Sequence, residues 1–245
     1  MKSYKLVGAL VCWFFSSIAV SQVTFQAGGG LGATFPDADL AGSTIEYYEG
    51  RSYGLAPGLN VHAKARAGLG TIHIVGELGV SWLSNEGNSE PTQGNVEISQ
   101  SILQFKIGPE YQFTIPAVPA KPYLGMNLAV NSFSGEATFR GVSRVPTATF
   151  VVKSASRFGI GFTAGALFKV SPLMTLDVSL AYNLLNLGGR AWEDIEPSQD
   201  RRVDSYLALN DARDTFFTPS SNDHVIASDR TINSFQLLIT LMFGL

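Results

Sequence analysis

Apolar and polar residues alternate with a period of two in eight separate stretches of the chain. That period belongs to a β-strand with unlike faces. The first stretch runs from about Val23 to Phe35, with Val23, Phe25, Ala27, Leu31, Ala33 and Phe35 on one face and Thr24, Gln26 and glycines on the other. The second, about Leu55 to Leu69, sets Leu59, Val61, Ala63, Ala65, Ala67 and Leu69 against Asn60, His62, Lys64, Arg66 and Gly68. Ile72 to Trp82, Leu103 to Phe113 and Leu124 to Val130 continue the pattern. So do Phe158 to Val170, Leu176 to Leu184 and Phe235 to Leu245. A helix would need apolar residues three and four apart. Lys64 and Arg66, set between alanines, fit no single helical face, and the many glycines disfavour helix as well.

Both a soluble and a membrane barrel alternate in this way. Two features point to the membrane. Charges are few in each strand and stand isolated among Gly, Ser, Thr, Asn and Gln. The connections alternate between long (about 36–53, 83–97, 134–155 and 188–230) and short (Gly70-Thr71, 116–121 and 171–175). Membrane barrels have short periplasmic turns and long extracellular loops, so a periplasmic N-terminus places every long gap outside the cell. Phe35, Trp82 and Phe158 fall towards one rim. Phe25, Tyr111, Phe113, Phe168 and Phe243 fall towards the other. These are the positions of interfacial aromatic girdles.

Residues 1–21 read as a secretory signal. Lys2 and Lys5 precede an apolar run through Trp13, Phe14 and Phe15, and Ala19-Val20-Ser21 fits a small-x-small cleavage site. The run is too short to span a bilayer. Cleavage is expected between Ser21 and Gln22, leaving 22–245 as one barrel domain. Cys12, the only cysteine, lies inside the signal and is preceded by Val11, so lipidation is not expected. Without Lys2 and Lys5, the 17 basic residues fall to 15 against 20 acidic ones. No basic patch favours nucleic acid.

The chain therefore resembles the eight-stranded outer-membrane barrel family, the type formed by the membrane domain of OmpA and by OmpX. The resemblance spans Gln22 to Leu245. It rests on strand count, loop parity and the closing segment Ile232 to Leu245, in which Phe235, Leu237, Ile239, Leu241 and Phe243 alternate with Ser234, Gln236 and Thr240. In the family a terminal Phe is usual; here the last residue is Leu245, with Phe243 two before. The resemblance implies an all-β, single transmembrane, antiparallel up-and-down barrel in the bacterial outer membrane. It further implies outer-membrane lipid as surroundings and barrel-assembly machinery as a partner of the final strand.

Eight strands enclose a space that side chains just fill, and charges placed there need partners. Lys64, Arg66, Glu77, Lys106, Glu110, Arg157, Lys169 and Asp177 all face inward by parity. A two-residue turn at Gly70-Thr71 pairs Leu69 with Ile72 and Lys64 with Glu77, so Glu77 is expected to bridge Lys64 and Arg66. A five-residue turn at 171–175 sets Lys169 opposite Asp177. The set acts either as a plug that fixes register or as a gated polar path, and the first is expected.

No hydrolase or metal-binding motif stands out, and neither an enzyme nor a cofactor is expected. His224 lies near Ser221, Asp223 and Asp229, and His62 and His73 share one hairpin, but neither group makes a motif. Asp37-x-Asp39 alone is weak evidence for calcium. The gap 188–230 carries nine acidic residues against five arginines and is the candidate site for a surface ligand. The expected role is structural or surface-interacting, ahead of a narrow small-solute channel.

Overall fold

Eight antiparallel strands close in chain order into one barrel. They are β1 (Thr24–Ala38), β2 (Gly58–Leu69), β3 (Ile72–Glu90), β4 (Gln93–Gln112), β5 (Ala120–Arg140), β6 (Ala148–Ser171), β7 (Met174–Gly188) and β8 (Ile232–Gly244). A short helix, α1 (Thr44–Tyr48), sits in the first loop, its N-terminus closed by a Ser43–Glu46 capping box. The computed structural model describes residues 23–90, 93–116, 118–143, 145–189, 207, 209 and 230–244. The expected signal, 1–21, lies outside them, as do His224 and most of 188–230.

The β2–β3 register follows from its turn. Gly70 takes φ +62°, where a Cβ would be strained, and Leu69 pairs with Ile72. Lys64 then faces Glu77. At β6–β7 the expectation fails. Ser171 pairs with Met174 across a tight turn, and a register shift follows between Lys169 and Ser171. Lys169 therefore faces Thr175, and Asp177 faces Leu167.

Two of the expected long loops are mostly strand. β3 and β4 pair continuously out to Glu90 and Gln93. β5 and β6 pair out to Phe139 and Ala148, with one irregularity at Phe133 to Gly135. The faces exchange character on the way. Along β4, Leu103, Phe105 and Ile107 point outward, with Gln104 and Lys106 buried inside. Further out, Glu97, Ser99 and Ser101 point outward, and Val96, Ile98 and Ile102 are buried inside. β5 repeats the switch: Leu124, Met126, Leu128 and Val130 face outward before Ser134, Glu136, Thr138 and Arg140. Lipid demands an apolar exterior; water outside the membrane demands the reverse.

The barrel interior is consequently stratified. At the long-hairpin end, Leu40, Tyr47, Leu55, Leu83, Ile98, Phe133, Phe139, Leu185 and Ile232 belong to one apolar cluster. Burying each large side chain contributes roughly 1.5–3 kcal/mol. Below it lie neutral amides and hydroxyls, and below those the charged residues.

The first loop closes over the apolar cluster. Asn85 Nδ2 donates to the carbonyls of both Gly42 (3.1 Å) and Gly54 (2.7 Å), clipping the two ends of the loop together. Leu55 N–H donates to Leu40 O at 3.2 Å. The loop thus inserts Tyr47 and Tyr53 into the mouth, where both are buried.

Candidate functional site: the charged lumen

β2 and β4 place their cations, and β3, β4 and β7 their carboxylates, on inward positions near the short-turn end. Asp177 is the hub, with a fully buried carboxylate. Its Oδ2 accepts from Lys64 Nζ at 3.1 Å and from Arg66 Nη2 at 3.0 Å. Its Oδ1 accepts the Tyr123 hydroxyl at 2.6 Å. Arg66 Nη2 also donates to Glu110 Oε2 at 2.8 Å, and the guanidinium lies over the Tyr123 ring, 5.3 Å from its centroid. Glu77 lies 3.7 Å from Lys64 Nζ and 3.0 Å from Lys106 Nζ. Three cations and three carboxylates interlock, so the buried cluster is neutral as a whole. That is the arrangement under which buried charges persist.

Six of the eight expected residues therefore meet: Lys64, Arg66, Glu77, Lys106, Glu110 and Asp177. The pairing differs from expectation. Glu77 bridges Lys64 and Lys106, not Lys64 and Arg66, and Arg66 reaches across to β4 and β7 instead. Lys169 is exposed at the short-turn end, and Arg157 lies at the other end, donating to Ser156 O and Leu209 O. Neither joins the cluster.

A neutral layer sits above the charges. Gln236 Oε1 accepts from Lys106 Nζ at 2.7 Å, and Gln236 Nε2 donates to Gln104 Oε1 at 2.8 Å. His62 lies between Asn60 Oδ1 (2.9 Å) and Thr240 Oγ1 (2.8 Å). Gly30 makes room for that ring, since a Cβ there would fall 2.6 Å from His62 Nε2. Beside the charges a cavity of about 30 Å³ is lined by Lys64, Glu77, Lys106, Glu110, Tyr123 and Asn127. It has room for a few waters. Of the Asp37-x-Asp39 pair, Asp37 Oδ2 accepts the Tyr182 hydroxyl, and Asp39 Oδ2 accepts the Thr231 N–H, each at 2.8 Å. The two carboxylates have separate tasks.

Tyr123 and Gln236 were legible as inward residues but not as members of this network. Their contacts cross the barrel, and cross-barrel neighbours depend on strand stagger, which a hairpin count does not provide.

The family model described as outer membrane protein beta-barrel domain matches residues 7–200. Among solved structures, Neisserial surface protein A is 13% identical with a TM-score of 0.48, over 91% of this chain and 98% of that one. A major outer membrane protein from Thermus thermophilus is 12% identical with a TM-score of 0.49, over 91% and 100%. Ail, the attachment invasion locus protein of Yersinia pestis, is 10% identical with a TM-score of 0.40, over 91% and 97%. No curated protein matches.

Proposed function

Because the chain belongs to the outer membrane protein β-barrel domain family and resides in the bacterial outer membrane, we propose that it is a closed barrel acting through its extracellular end. Its role on this reading is structural or surface-interacting, and neither a channel nor an enzyme. The observation that carries the reading is the double closure of the lumen. A neutral, interlocked set of buried charges fills one half, and a continuous apolar cluster with the first loop drawn into it fills the other. A solute would have to break buried ion pairs and part packed side chains in sequence. Short turns lie on the periplasmic side of such barrels, so the β3–β4 and β5–β6 extensions and the first loop face the medium. The same reading includes a signal cleaved after Ser21, a mature barrel over 22–245, and delivery by barrel-assembly machinery through β8.

Conductance of the purified, folded protein in a planar bilayer tests this. Silence is expected for the wild type and for single substitutions at Glu77 and Arg66. A steady conductance that changes with either substitution would overturn the closed reading in favour of a narrow channel.

A further inference from the structure

Every cation of the lumen cluster faces a carboxylate: Lys64 and Arg66 face Asp177, and Lys106 faces Glu77. Arg230, just ahead of β8 at the extracellular mouth, faces none among the described residues. It is 5% exposed. Its Nη2 donates to the Gly50 carbonyl of the first loop. Its guanidinium carbon lies 5.4 Å from the centroid of the Tyr53 ring. Among the described residues, its Nε and Nη1 have no hydrogen-bond partner.

Asp39 is the one described carboxylate whose charge reaches this guanidinium. It is engaged with the Thr231 N–H at 2.8 Å and forms no ion pair with Arg230. Burial pushes the Arg230 guanidinium below its ordinary pKa, yet arginine stays protonated in proteins. A buried, permanently charged group with two idle donor nitrogens is costly to maintain. A neutral carbonyl and an aromatic face offset only part of that cost.

We propose that Arg230 is the anchor of an anion site at the mouth of the barrel, taking a phosphate, sulfate or carboxylate group from the external medium. The guanidinium offers donors suited to planar or tetrahedral oxyanions. Gly50 sits in the turn between the exposed residues Glu49 and Arg51, with φ +72°. An anion outcompetes the neutral Gly50 carbonyl for the Arg230 donors. The side chain lies inside the mouth, in contact with the first loop, so the ligand is a dissolved solute and not the headgroup of a neighbouring lipid.

Calorimetric titration of the full folded chain in neutral detergent micelles, with inorganic phosphate at constant ionic strength set by sodium chloride, tests the site. Saturable binding is expected for the wild type. Arg230→Gln is expected to weaken it about tenfold or more, the loss of a charged hydrogen-bond donor. Arg51→Gln, which removes an exposed cation on the same loop, is expected to leave it unchanged. The gel mobility of unboiled samples reports whether each variant is folded, and Arg230→Lys serves as the charge-conserving variant. Absence of saturable phosphate binding to the wild type overturns the proposal even where Arg230→Gln fails to fold. So does equal binding by wild type and Arg230→Gln. Binding confined to micelles doped with an anionic phospholipid would overturn the assignment to a dissolved anion.

Discussion

Replacing Asp177 with Asn removes one charge from the centre of the lumen while keeping its volume. The amide oxygen still accepts from Lys64 (3.1 Å) and Arg66 (3.0 Å), but without a negative charge to hold the two cations. The Tyr123 hydroxyl then meets the amide nitrogen and loses its carboxylate acceptor. The cluster passes from three cations and three carboxylates to three and two. Breaking a buried pair by removing one partner costs about 3–5 kcal/mol. Here the lower end applies, because Lys64 retains Glu77 at 3.7 Å and Arg66 retains Glu110 at 2.8 Å. A loss of about 3 kcal/mol is about a hundredfold in the folding equilibrium. Reversible urea unfolding in lipid vesicles, followed by tryptophan fluorescence and by gel mobility without boiling, measures it. Adding Lys64→Met restores equal numbers of opposite charges, so the double variant should be more stable than the sum of the single effects by about 1 kcal/mol or more. A loss under about 1 kcal/mol for Asp177→Asn, or strict additivity in the double variant, would refute the view of the lumen as a buried, mutually dependent ion cluster.

Further expectations concern the wall. Leu128 faces outward in the apolar stretch of β5 and is 64% exposed, so Leu128→Arg should cost about 2–4 kcal/mol in vesicle unfolding. Thr138→Arg, outward on the same strand beyond the switch, should change stability by less than about 0.5 kcal/mol. Equal effects would misplace the membrane boundary. A Cβ on Gly30 would fall 2.2 Å from the Ile239 carbonyl oxygen, so Gly30→Ala should destabilise by about 1–3 kcal/mol. Gly76→Ala, where a Cβ meets nothing within 4 Å, should be neutral or slightly stabilising in the same assay.

The membrane half of the fold was legible because lipid imposes one rule on every outward position, and Leu59 to Leu69 or Leu103 to Tyr111 obey it residue by residue. The outer ends of β3 to β6 were not. At Leu83 and again near Ser132 the apolar residues move to the opposite parity, and a pattern that ends on one face looks like a strand that ends. The Lys64–Glu77 pair was legible because a two-residue turn dictates its own register. The expected Lys169–Asp177 pairing fails because the β6–β7 turn is tighter than its gap suggests and carries a bulge. The true partners of Asp177, Lys64 and Arg66, lie across the barrel, where neither turn length nor alternation reaches.

The exchange of faces along β3 to β6 has a consequence for changes in length. A two-residue insertion at the switch keeps both halves in phase and lengthens the strand by about 7 Å, which raises the extracellular rim by about 5 Å at the usual strand tilt. A one-residue insertion inside a strand throws every position beyond it out of phase, turning the polar rim inward and the apolar cluster out into water. Barrels of this design can therefore grow taller or shorter in the medium only in even steps, unless a bulge absorbs the odd residue. The irregularity at Phe133 to Gly135, lying at the switch itself, sits where such a step is absorbed.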